Sequence, residues 1–378
     1  MESEKTERIA IAKELMNAFS ERTGLYGDDS KAFHRYLWTD AYTVQTFLGL
    51  ADAIGDPRYL EKARNLTHLV HQKLGRFTVA DPRKGWISGL SEAEGEEHPT
   101  AGGLRIGKNL RERKETEPLD ERLEWERDGQ YFHYNTHWIH SLLEMHEETG
   151  DVDYKTWAAE LLLASGKFIA KVNGQSRMFW KMSIDLSRPQ VPSMGIHDPL
   201  EGLILSESLK NEVPELASPL KRLASDFENI SQNRVWKTND TLGIGGLLLN
   251  SVKAAECSVN NKSIPEVMDP EKLLGDCLSG LRNLENSKEL SFTSARRLAF
   301  RECGLSLALR VIFGRRTIFE QQDISLKAFE EYLPLAREIE DFWLKPKNQD
   351  SVLWKKHPDI NAVSLAASIV SEYSPERF

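Results

Sequence analysis

The stretch LEWERDGQYFHYNTHWIHSLLEMHEETGD, Leu123 to Asp151, packs Asp128, Tyr131, His133, Tyr134, His137 and Trp138 into one short run ahead of an ordinary helical pattern. His133 and His137 are four residues apart and His140 is three further on, so a helix presents all three on one face. Imidazoles there can hydrogen-bond a polar ligand or move protons. Zinc is not expected, because HxxxH lacks the Glu of HExxH and no third ligand is evident. Carboxylates recur at equivalent places. Asp40, Asp128, Asp198, Asp240 and Asp359 each stand where a small-residue apolar helix begins. One such Asp is explained as an N-cap. Several converging on one bowl would repel and split their pKa values, as general acid–base chemistry needs. Asp40 and Asp198, then Asp128, are the expected catalytic groups.

Aromatic residues accompany the acids. Trp38, Trp125, Trp180, Trp236 and Trp354 precede the same helices, and three of these units share a Trp-Lys pair, Lys181 among them. Indoles offer flat apolar faces with a polar edge, which suits sugar rings. Packing between helices explains a single Trp equally well. The expected ligand-binding set is Trp38, Trp125, Tyr131, His133, Tyr134, His137, Trp180, Lys181, His197, Trp236, Asp240, Arg296 and Trp354. Arg296 and Arg297 are expected in the first turn of a helix, where cations oppose the dipole. A nearby Asp or a substrate carboxylate would answer them.

Helices must position these residues. Periodicity predicts them over 5–20, 40–54, 58–74, 130–148, 153–171, 198–210, 216–231, 241–256, 270–286, 294–312, 324–343 and 359–373. Two kinds alternate. TLGIGGLLLNSVKAA and NAVSLAASIV are apolar on most faces and predict burial all round, whereas PRYLEKARNLTHLVHQKLG and SLKAFEEYLPLAREIEDFW are amphipathic. Long connections at 21–37, 75–127 and 172–196 lead into the apolar helices, and long loops on one face commonly carry function. A weak repeat of Trp followed by a polar helix-starting residue marks most hairpins.

Twelve helices in six such hairpins resemble the (α/α)6 toroid of the six-hairpin glycosidase superfamily. That resemblance implies an all-α fold, a single domain over 1–378, a 75–127 insertion over the mouth, and a site at the N-terminal ends of the inner helices. It further implies a carbohydrate-active enzyme, foremost a glycoside hydrolase. The alternatives are a sugar epimerase using His133 and His197, or a binder of sugars or proteins without catalysis. The implied ligand is a small saccharide, anionic ones included, with no cofactor.

Composition narrows the rest. Among 378 residues, 40% are hydrophobic and 28% charged, with a net charge of −9 and no basic block, so nucleic acid is not an expected partner. No apolar run approaches the roughly 20 residues of a membrane span. Cys257, Cys277 and Cys303 form no CxxC pair and read as reduced thiols of a cytoplasmic protein. GGLRIGKN, Gly102 to Asn109, contains GxxxxGK, but Asn109 replaces the Ser or Thr and no strand precedes it. Glu201, three residues after Asp198, is expected to complete a capping box.

Overall fold

The computed structural model describes residues 2–25, 34–172, 175–261 and 263–378. Parts of the 21–37 and 172–196 connections lie outside the described residues. Among the described residues, twelve α-helices have twelve or more residues. They are α1 (Glu2–Arg22), α2 (Leu37–Ile54), α3 (Arg58–Leu74), α4 (Phe132–Thr149), α5 (Val152–Ser165) and α6 (Asp198–Leu209). They continue with α7 (Ala217–Ser231), α8 (Thr241–Asn260), α9 (Pro270–Ser287), α10 (Ala299–Gly314), α11 (Leu333–Leu344) and α12 (Pro358–Ser371). The protein is all-α, and every expected helix is present.

Boundaries move where local chemistry overrides periodicity. The 153–171 expectation is corrected: α5 stops at Ser165, and a short 3-10 turn leads into strand β2 (Ile169–Val172), which pairs antiparallel with β3 (Gln175–Met178). The start of the 130–148 helix is also strand, β1 (Gln130–Tyr131). It pairs with β4 (Lys181–Met182), which pairs in turn with β5 (Pro189–Val191). Arg296 and Arg297 do not open a helix. Ser294–Arg296 is a separate 3-10 turn, Arg297 is extended at φ −121°, and α10 begins at Ala299.

The chain forms two compact units. One comprises Met1–Lys31, Gln45–Leu60 and Asn233–Phe378; the other comprises Ala32–Val44 and Glu61–Gln232. In the first, α10 packs against both α8 and α12, and α1 packs on α12. Helix α12 buries every residue from Asn361 to Ser371, as its all-round small and apolar sequence predicts. Amphipathic α9 and α11 lay one face on α8 and α10. Glu340 of α11 is fully buried there, and it gathers Arg8, Arg310, Ser306 and Ser368 from α1, α10 and α12.

In the second unit, α4 packs on α5 and α6 on α7. The α4–α5 turn needs only two residues. Gly150 takes the left-handed conformation, φ +68°, that ends α4, and the Asp151 side chain accepts the Asp153 N–H to start α5. Among the described residues no helix is long and apolar enough to cross a membrane.

His71 of α3 is buried in this unit between the rings of Trp138 and Trp157. Its Nε2 accepts the Trp138 indole N–H at 3.1 Å. Desolvation lowers its pKa to about 3. The unfolded chain therefore binds one more proton than the native state between that value and about 6.5. Stability from this residue is complete above about pH 6.5 and is lost as pH falls toward 3. Acidification from pH 7.5 to 5 is expected to cost about 2 kcal/mol through His71. The stability lost between the two pH values, measured by urea denaturation, should be about 2 kcal/mol smaller in His71→Gln than in the wild type.

Candidate functional site

The second unit gathers most of the expected aromatic residues into one cluster. The rings of Trp38 and His137 meet edge-on at 4.3 Å, and Trp38 also lies 5.3 Å from Tyr134, 5.5 Å from Tyr42 and 5.8 Å from His133. His133 stacks with Tyr131 at 5.3 Å and with Trp180 at 5.9 Å. Trp125, half exposed, meets Trp180 at 4.8 Å. The Tyr36 and Tyr134 hydroxyls share a hydrogen bond of 2.6 Å. Residues scattered from 36 to 180 thus form a continuous, largely buried aromatic cluster, carried mainly by the starts of α2 and α4, by β1 and by the loop between β3 and β4. Tyr36 and Tyr42 were not among the expected residues. Tyr42 stands four positions after Trp38 on α2, and that i, i+4 relation is the signal that could have found it.

The polar edges of this cluster are chemically specific. Trp180 Nε1–H donates to His133 Nδ1 at 3.0 Å, so the neutral ring carries its proton on Nε2. Burial depresses the pKa of both His133 and His137. Trp38 Nε1–H is buried and finds no acceptor among the described residues. An orphaned donor of this kind costs roughly 1–3 kcal/mol, and a ligand oxygen would relieve it. Replacing Trp180 with Phe keeps the stacking but removes the donor. The His133 pKa is then expected to rise, because a donor to the neutral ring is lost, as read by NMR titration of its ring protons; an unchanged titration would sink this account.

Asp198 opens α6 and is 5% exposed. Its carboxyl accepts the Gly195 N–H at 3.1 Å, upstream of the helix rather than from the helix N–H groups. The expected capping box is corrected accordingly: His197 occupies the N-cap position, without a side-chain cap bond. Glu201 instead reaches His140, with 3.5 Å between Oε1 and Nε2. Desolvation, with the neighbouring Glu201 charge, raises the Asp198 pKa to about 7. For Glu201 burial acts upward, but His140 and His137 outweigh it and the net shift is downward. Two carboxyl groups one helical turn apart are therefore driven in opposite directions.

The other expected acids are tied into the scaffold. Asp40 lies in the first turn of α2, accepts the Tyr36 N–H at 3.1 Å and faces buried Arg35 at 3.5 Å. Asp128 precedes β1 and caps no helix. Its carboxylate accepts the backbone N–H groups of Gly107 and Lys108 and the Arg105 guanidinium at 2.9, 3.1 and 2.8 Å. The GxxxxGK segment thus cradles a carboxylate of its own chain. Gly107, at φ +93°, approaches the Arg35 carbonyl so closely that a Cβ would lie 2.0 Å from its oxygen. Lys181 is corrected as a ligand group. It is fully buried, and its three N–H donors go to the Glu124 carbonyl, the Glu124 carboxylate and the Arg127 carbonyl, so none remains for a substrate.

Five of the expected residues lie in the other unit. Asp240 caps α8, its Oδ2 accepting the Gly243 N–H at 3.0 Å, and it pairs with Arg301. Trp236 is buried, and its backbone N–H donates to Asp276. Trp354 stacks on Trp343 at 5.8 Å. The Arg296 guanidinium lies over the Phe292 ring at 4.3 Å. Asp359, in the first turn of α12, pairs with Arg22.

No family model and no curated protein matches the chain. Among solved structures, the chain is similar to cellobiose 2-epimerase from Spirochaeta thermophila DSM 6192. The identity is 14%, the match covers 89% of this chain and 86% of that one, and the TM-score is 0.47.

Proposed function

We propose that the protein is a carbohydrate-active enzyme working by carboxyl general acid–base catalysis, with hydrolysis of a short oligosaccharide as its reaction. The observation that carries this reading is the Asp198–Glu201 pair on α6, whose pKa values are pushed apart. Asp198, protonated near neutrality, would donate its proton to the leaving glycosidic oxygen. Ionised Glu201 would take a proton from the attacking water. The Trp38, Tyr134 and Trp180 rings would supply apolar faces for sugar C–H groups, and the Trp38 N–H, without an acceptor among the described residues, suits a hydroxyl oxygen. Asp40 and Asp128, engaged by Arg35 and Arg105, hold the walls in this scheme.

A second reading rests on the neutral imidazoles. His133 presents a fixed Nε2–H, and His137 stands one turn away on the same face of α4. In such a pair His137 could take the proton beside a sugar carbonyl and become imidazolium while His133 Nε2–H hydrogen-bonds the developing enolate oxygen; return of the proton from His137 to the other face of the enolate, once it has turned, is epimerisation. A thermal-shift screen of mono- and disaccharides, including uronides and amino sugars, followed by product assay decides the matter. Hydrolysis raises reducing ends. Epimerisation leaves them constant and incorporates deuterium from heavy water. The whole proposal fails if no saccharide in the screen is chemically altered.

A further inference from the structure

A cavity of about 380 Å³ lies wholly within the unit containing α8 and α10, beside the first residues of both helices. That volume is within the range of small-molecule sites. Its lining is rich in charge, but most of that charge is already paired. Arg297 and Glu302 form a buried two-pronged pair at 2.8 and 2.6 Å, and Trp343 Nε1–H completes Glu302 at 2.7 Å. Arg301 and Asp240 pair at the rim, with side chains 40% and 41% exposed.

Arg296 stands apart. No carboxylate among the described residues pairs with it, and Phe292 supports its guanidinium from below. A planar guanidinium held on an aromatic face is preorganised for bidentate binding of a carboxylate or phosphate. Two further features favour an anion. The starts of α8 and α10 add partial positive charge, and the Arg301 guanidinium, paired with Asp240, stands half exposed at the rim. Asp240 and Glu289, also in the lining, can accept hydrogen bonds from hydroxyl groups.

We infer that this cavity binds a small polyhydroxylated anion, a sugar acid or a sugar phosphate, with Arg296 holding the anionic group. The inference does not require the Asp198 chemistry proposed above. Asp198→Asn is expected to bind these ligands as the wild type does, so failure of one reading leaves the other standing.

Titration calorimetry on the full chain with glucuronate, glucose 6-phosphate, glucose and inorganic phosphate tests it. At least one sugar anion should bind ten-fold or more tightly than glucose and than inorganic phosphate. Arg296→Ala should weaken that binding ten-fold or more, and Arg296→Lys should recover part of it. Arg296 is exposed and forms no ion pair among the described residues, so both variants should unfold at the wild-type temperature. The inference is overturned if neither sugar anion binds saturably, if glucose or inorganic phosphate binds equally well, or if Arg296→Ala binds as tightly as the wild type. Glucuronate preferred over glucose 6-phosphate assigns the site to sugar acids, and the reverse assigns it to sugar phosphates.

Discussion

Asp198→Asn is expected to lower turnover of the saccharide substrate by about 10²–10⁴-fold, the usual worth of a general acid. Asparagine can still accept the Gly195 N–H, so the start of α6 should survive. It cannot donate the proton that the leaving oxygen requires. The pH dependence sharpens the test. A carboxyl group raised to about 7 supplies its proton below that value and loses it above, so wild-type activity should decline on the alkaline side of neutrality. The native state binds the extra proton between the unfolded value near 3.9 and the folded value, so this stabilisation is complete below the former and is lost as pH rises through about 7. Above that pH the Asn variant, which buries no charge, should be at least as stable as the wild type. A variant that is inactive and equally stable fits a catalytic acid. A variant that keeps full turnover removes Asp198 from the mechanism.

Glu340→Ala is expected to destabilise its unit by roughly 3–5 kcal/mol, the cost of breaking a buried ion pair from one side. Glu340 Oε1 accepts the Ser306 and Ser368 hydroxyls at 3.1 and 2.8 Å, while Oε2 takes Arg310 at 3.0 Å and Arg8. Removing the carboxylate leaves two guanidinium groups and two hydroxyls in an apolar layer. Asp341 and Glu372 answer only part of that charge. Glu340→Gln keeps the acceptor but loses the charge and should fall between Ala and wild type. As a control, truncating Arg337, whose side chain is 29% exposed, should change stability by less than about 1 kcal/mol. Urea midpoints with unchanged m-values measure all three. A Glu340→Ala chain within about 1 kcal/mol of wild type would refute the account.

The helices were legible because their apolar residues recur at a period that only a helix satisfies. Buried α12 and amphipathic α9 could even be told apart by how many faces were apolar. Two- to four-residue strands carry no such signal. Gln130–Tyr131 looks like the start of a helix until its partner Lys181–Met182 is known. The break ahead of α10 was hidden for a similar reason. Arg297 leaves helical geometry to reach Glu302 and the Leu290 carbonyl, and no local pattern announces that. At the site, Trp38, Tyr134, His133 and Trp180 could be singled out because they stand at or just before the starts of apolar helices, a position that the toroid resemblance turns into a common site. Glu201 was passed over because its spacing from Asp198 imitates a cap. Lys181 was singled out by its place in a recurring Trp-Lys pair, a pattern that says nothing of burial, and its ammonium is enclosed by Glu124 and two carbonyls.

The glycine-rich segment around Gly107 bears on how short motifs are interpreted. Its amides form a receptor shaped for negative oxygen, and the guest is supplied in cis, twenty-one positions downstream. Such a string encodes an appetite for an anion without specifying whose. An intramolecular acid can satisfy that appetite permanently, leaving nothing for a nucleotide to claim.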